Sequence, residues 1–219
     1  MSIPFEKPAV IGEALIDLAP DIAAAILQTV EFGWEIARKH HDLASDAKEI
    51  VITERLRDGM REALKARKLP WRRSMVVLPG TESRSTEFPV PDGRTDIPIL
   101  FIEIFLKLGQ HDPHAIIECK RVAAGDANLI REYVKEGMDR FCSRKYGAAH
   151  SRGFMTGYVL AGAPNVIVEQ INAFLKKSKR TPEQLSLNGQ AFWLSQHPRT
   201  NFTSIELNHA FLPVGSCVA

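Results

Sequence analysis

Ala-Ile-Ile-Glu-Cys-Lys-Arg at 115–121 sets a carboxylate and an ammonium two residues apart inside a run that otherwise reads as a buried strand. Side chains alternate along a strand, so Glu118 and Lys120 share one face with Ile116, while Ile117, Cys119 and Arg121 take the other. Upstream, Gly-Arg-Thr-Asp-Ile-Pro-Ile-Leu-Phe at 93–101 opens a second apolar run with Asp96 at its start. If the two strands pair, Asp96 and Glu118 approach one another. Two facing carboxylates repel unless a proton or a divalent cation lies between them. A lysine beside them can orient or deprotonate a water, or stabilise developing negative charge. An acid-x-Lys triplet is common by itself, and Asp46-Ala-Lys48 is another. The apolar approach to Glu118 sets this one apart, because buried charges are uncommon unless paired or functional.

A third acid follows from helical geometry. Ile52, Leu56, Met60 and Leu64 recur every four residues and mark the inward face of a helix. At roughly 100° per residue, Glu49 lies about 20° from Leu56 and Met60 around the wheel, and Glu54 about 140° from Glu49. Glu49 is therefore expected to point at the sheet face bearing Asp96 and Glu118, with Glu54 in solvent. The plainer role for Glu49 is half of a capping box with Asp46. A neighbouring acid, Asp92, follows Pro91 in a Gly-flanked turn. Asp96 is preferred over it because a strand holds a side chain in register more rigidly than a turn does.

The elements that must position these groups are legible from periodicity. Residues 11–39 read as helix, with Pro20 expected to break it in two. Ser45 or Asp46 would cap a second helix running to about Arg67, ended by Lys-Leu-Pro-Trp at 68–71. Residues 74–78 form a short strand, 79–94 a turn-rich stretch, and 95–104 and 114–122 further strands. Residues 128–146 return to helical spacing, with Gly147 as a stop. Residues 153–160 read as strand and 164–179 as helix, and 190–195 and 203–212 as closing strands. The alternation predicts an α/β or α+β fold, a central sheet flanked by helices. Residues 1–44 are expected to form an N-terminal helical segment packed on a domain spanning 45–219.

An inward Glu on a helix, an Asp on a strand, Glu-x-Lys on the next strand and then a helix resemble the PD-(D/E)XK nucleases of the restriction-endonuclease-like fold. The resemblance covers roughly Asp46 to Leu160. It implies that Asp96, Glu118 and Glu49 hold Mg²⁺ (Mn²⁺ substituting) and that Lys120 assists the attacking water. It further implies a divalent-metal-dependent nuclease, a hydrolase of phosphodiester bonds in nucleic acid, DNA favoured. Phage defence, restriction or repair are the settings it suggests. The alternative is a catalytically silent nucleic-acid-binding or scaffold domain on the same fold.

The helix after the Glu-x-Lys strand carries Tyr133, Gly137 and Arg140 on one face. Arg140, with Lys145 and Tyr146, could meet phosphate; the plainer expectation is that Tyr133 and Phe141 are core and Arg140 pairs with Glu136 at i, i+4. Lys65, Arg67, Lys68, Arg72 and Arg73 surround Trp71. That cluster suits a phosphate backbone or a solvated helix end, as do Lys176, Lys177, Lys179 and Arg180. His111 and His114 lack companions at zinc spacing. His197 and His209, on the last two strands, are expected to face each other as core or hydrogen-bonding histidines.

Composition narrows the classes further. The 219 residues are 45% hydrophobic and 25% charged, which excludes collagenous and disordered chains. A formal charge of +2 neither announces nor excludes a nucleic-acid partner. The three cysteines, Cys119, Cys142 and Cys217, are too few and too widely spaced for a disulfide framework. Glu6, Glu13 and Asp17 interrupt the apolar start, and no run is long enough to span a bilayer, so a soluble cytoplasmic protein with no membrane partner is expected. A homodimer or another oligomer is compatible with the sequence.

Overall fold

The computed structural model describes residues 17–66, 69, 71–80, 82–84, 91–109, 112–147, 150–189, 192–199 and 202–215. The expectations resting on residues 11–16, Arg67, Lys68, His111 and Cys217 lie outside these.

Helix α1 (Pro20–Ala37) starts at Pro20. A proline at the first helical position loses no hydrogen bond, since that N–H has no partner within the helix. Helix α2 (Glu49–Ala66) begins at Glu49, three residues later than Asp46. The two helices cross closely because Gly33 and Gly59 face each other: a Cβ on Gly59 would stand 2.2 Å from the Gly33 carbonyl oxygen.

Strand β1 (Met75–Val77) follows. The turn-rich stretch contains a hairpin, β2 (Glu82–Arg84) with β3 (Pro91–Arg94), so Pro91-Asp92 lies in a short strand and not in a turn. Strand β4 (Ile97–Phe101) is shorter than expected and passes directly into α3 (Ile102–Leu108), which Gly109 closes in a left-handed conformation at φ 63°. The run 99–106, interrupted only by Glu103, is too uniformly apolar to carry a period that separates strand from helix, so the switch at Ile102 was not readable.

Strand β5 (Ala115–Ala123) is followed by a helical arm in three parts: α4 (Ala127–Glu132), a π-turn (Tyr133–Met138) and α5 (Asp139–Cys142). Asp126 starts the arm by accepting from the backbone N–H groups of Asn128 and Leu129. The arm ends at Cys142, short of Tyr146. Then come β6 (Arg152–Ala161), α6 (Pro164–Lys177), a single 3₁₀ turn (Thr181–Glu183), β7 (Ser186–Asn188), β8 (Phe192–Arg199) and β9 (Phe202–Pro213).

The fold is α/β with a seven-stranded mixed sheet ordered β1-β4-β5-β6-β9-β8-β7. β5, β6 and β9 run parallel, and the outer pairings are antiparallel. One face packs on α1 and α2, burying Ile52, Leu56 and Met60 against Ile97, Ile99, Ile117 and Cys119. The other packs on the arm and α6, burying Ile116 and Val122 against Val134, Met138 and Ile171. No helix among the described residues is long and apolar enough to cross a membrane.

Candidate active site at the open edge of β5

β4 pairs with β5 through Ile97–Ile117, Pro98–Ile116 and Ile99–Ala115. Continued by one residue, that register sets Asp96 across from Glu118. There β4 ends while β5 runs on to Ala123, so the next backbone groups on this edge of β5 have no strand beside them. Two acids take the strand's place. Cys119 N–H donates to Asp96 Oδ2 at 2.8 Å, and Arg121 N–H donates to Glu49 Oε2 at 3.0 Å. The spacing of two residues is the strand's own period.

Lys120 and Glu118 rise from the arm-side face of the sheet. Lys120 bends around the open edge, where its Nζ donates to Glu49 Oε1 and to the Cys119 carbonyl oxygen, both at 2.9 Å, and lies 3.1 Å from Glu118 Oε1. All three ammonium protons have a partner. Glu49 therefore reaches the cluster from α2, on the opposite face, by way of the edge; it does not meet the face bearing Glu118, as expected from the wheel. Its phase was right: Glu54 is half-exposed and pairs with Arg57. No capping box forms, because both Glu49 oxygens are taken by Lys120 and Arg121.

Glu118 is fully buried. Its Oε1 receives Arg140 Nη1 at 2.7 Å as well as Lys120, while Oε2 has no hydrogen-bond partner. Burial, then the Asp96 carboxylate, push Glu118 up to about 8 against the pull of Lys120 and Arg140. Burial raises Asp96 too, offset in part by Lys120 and the Cys119 N–H. Burial alone would lower Lys120, but the carboxylates of Glu118, Glu49 and Asp96 reverse that and hold it above an ordinary lysine.

Arg140 does not pair with Glu136. The π-turn adds a residue per turn just before it and rotates the helix end toward the sheet, a feature common at functional sites. Arg140 Nη1 also donates to the Tyr146 hydroxyl at 2.8 Å, and its guanidinium lies 5.4 Å from that ring's centroid. Tyr146 OH donates to the Arg94 carbonyl at 2.8 Å, fastening the arm to the segment that leads into Asp96. Gly137 lies against the lysine stem, where a Cβ would be 3.4 Å from Lys120 Cγ and 2.5 Å from Met155 Cε. A shallow cleft lined by Glu49, Ile50, Thr53, Glu54, Arg57, Arg94, Thr95 and Asp96 opens beside the acids.

The structure thus brings Asp96, Glu118, Lys120, Glu49 and Arg140 together. Lys145 is half-buried near Tyr146. Arg72 and Arg73 are exposed but precede β1, next to the far end of β4. Five residues of strand, roughly 17 Å, separate that end from Asp96, so these arginines do not join the acid cluster. Trp71 is partly buried against the core under α1 and α2 and donates to Thr29 Oγ1 at 3.0 Å.

Two features escaped sequence reasoning. One is the role of Arg140, hidden by the π-turn, which no period discloses. The other is a buried chain linking His197 and His209 through Ser195 Oγ, at 2.6 and 2.7 Å. Ser195 Oγ stands between the two ring nitrogens, and β8–β9 pairing aligns His197 with Ile205 and His209 with Trp193. Close by, Cys142, Glu183 and His197 present possible metal donors within 4.8 Å of one another. Arg180 grips both Glu183 oxygens, at 2.9 and 2.6 Å, and Arg199 also bears on Cys142, so that cluster is already charge-compensated. His114 is buried, and its Nδ1 accepts from Phe101 N–H at 2.9 Å.

Comparison with protein-family models, with curated proteins and with solved structures returns no match.

Proposed function

We propose that the chain is a divalent-metal-dependent nuclease of restriction-endonuclease-like architecture that hydrolyses phosphodiester bonds, DNA favoured. The observation that carries this reading is Glu118, a fully buried carboxylate with one oxygen partnerless, set beside Asp96 and Glu49. Three carboxyls face two cations, Lys120 and Arg140, so with all five ionised the cluster holds one surplus negative charge. An all-oxygen donor set suits a hard ion such as Mg²⁺, or Mn²⁺ in its place. Asp96 and Glu118 would hold it, with Glu49 contributing from α2. Such an ion activates a water and neutralises charge on a phosphoryl oxygen.

The remaining steps belong to the chain's own groups. Because its neighbours keep Lys120 charged, it serves as a donor that orients water and stabilises developing negative charge, and not as a base. Arg140, half-exposed at the same edge, offers a second cation to a phosphate. The cleft beside Asp96 gives the substrate backbone access, with Arg94 exposed on its wall. The reading is tested by plasmid cleavage with Mg²⁺ and by calorimetry with Mg²⁺ and Mn²⁺ on wild type, Glu118→Gln and Asp96→Asn. Metal-dependent cleavage lost in both variants, with metal affinity reduced, is the expected result. A wild type that binds neither ion overturns it.

A second reading, a catalytically silent nucleic-acid-binding or scaffold domain, draws on one observation: Asp96 and Glu49 already serve as caps for the bare edge of β5. It predicts unchanged stability on addition of Mg²⁺.

A further inference from the structure

The helical arm carrying Arg140 is tied from behind to β8, β9 and the 3₁₀ turn. At the first residue of the π-turn, Tyr133 OH contacts His209 Nδ1 at 2.8 Å. His209 Nε2 and His197 Nε2 then meet on Ser195 Oγ, and His197 Nδ1 contacts Glu183 Oε2. Tyr133, His209 and His197 are all fully buried, and Ser195 nearly so. Hydrogen bonds from His197 and Arg180 outweigh burial and bring Glu183 down to about 2, so it only accepts. His197 Nδ1 must therefore donate. If His197 Nε2 accepts, the rest follows in one direction: Ser195 donates to His197, His209 Nε2 donates to Ser195, and Tyr133 donates to His209 Nδ1. Each hydroxyl and ring nitrogen in the chain then has a defined role.

The far end of the arm is tied as well. Asp139 accepts from Arg180 at 2.7 Å. Arg199 donates to the carbonyls of Phe141, His150 and Gly147 at 3.0, 2.9 and 3.1 Å. Between these ties lies the π-turn, whose Gly137 rests on the Lys120 stem and whose extra residue aims Arg140 at Glu118. A wide turn has more than one phase it can relax to, and ties at both ends select one.

We propose that Ser195 and His209, through Tyr133, are positioning residues that set the phase of the π-turn and so hold Arg140 on Glu118. The effect on turnover rests on the nuclease reading above; the effect on Arg140 does not. The experiment uses the full chain with Ser195→Ala and Tyr133→Phe, each alone and combined with Arg140→Ala. The first readout is NMR of the Arg140 guanidinium in metal-free protein, where contact with Glu118 slows exchange of its N–H protons. The second is Mg²⁺-dependent plasmid cleavage. Both variants should stay folded, lose the slowly exchanging Arg140 signal and cleave about tenfold more slowly. Neither should slow cleavage further once Arg140 is alanine, which a general loss of stability would not produce. Tyr133→Phe removes one oxygen only and keeps the test open should Ser195→Ala fail to fold. A retained Arg140 signal in both variants, or an undiminished effect in the Arg140→Ala background, overturns the proposal. If wild type does not cleave, the nuclease reading fails and the Arg140 signal alone decides this one.

Discussion

At the scale of the residue, the cluster separates groups that hold from groups that move charge. Lys120→Ala should leave metal affinity within a few-fold of wild type, because no carboxylate is lost. The rate should fall by a factor on the order of 10²–10⁴, since the water loses its partner. Calorimetry and single-turnover cleavage read the two quantities separately; a Lys120→Ala protein that cleaves like wild type removes lysine from the chemistry. Glu49→Gln keeps an oxygen for the Arg121 N–H but not the charge that holds Lys120. Full activity in that variant would make Glu49 a cap alone. Asp96, Glu118 and Lys120 were legible because strand alternation and an apolar run fix which acids lie inside. The pairing of Arg140 with Glu118 was not, because the two lie 22 positions apart and the direction of Arg140 depends on one extra residue in a turn.

At the scale of the element, the helix phase of α2 and the strands β5, β6 and β9 followed from periodicity, each carrying a run long enough to declare itself. What failed were places where tertiary packing decides. β4 gives way to α3 inside one apolar run, and the arm ends at Cys142, where Arg199 takes the Phe141 carbonyl. The arm's approach to the sheet depends on Gly137. A Cβ there meets Met155 Cε, the movable end of that side chain, at 2.5 Å, so Gly137→Ala should cost at most about 1 kcal/mol of stability, the low end of overpacking. Urea unfolding reads the loss, and Met155→Val in the same chain should restore part of it. No recovery would mean that the strain lies in the backbone of the π-turn.

At the scale of the whole molecule, buried histidines set the acid limit. Burial first, then Arg199 and His114, bring His150 from 6.5 down to about 4, and burial holds His209 well below its ordinary range. A group depressed in the folded state stabilises it above the unfolded value, and that contribution disappears as pH falls toward the folded one. Urea midpoints should therefore drop between pH 6.5 and 4, His150 alone accounting for on the order of 3 kcal/mol. His150→Gln should flatten that slope, and an unchanged slope would show that His150 is not its source. A different consequence follows from the bare edge of β5. A strand edge with free N–H groups is a template onto which another chain can add. Asp96 and Glu49 occupy those groups, so truncating both acids to alanine exposes a short pairing edge. That double variant should run larger than wild type on size exclusion, while Asp96→Asn with Glu49→Gln, whose amide oxygens still accept, should not. The acids proposed to cut one polymer would then also be what keeps this one from sticking to itself.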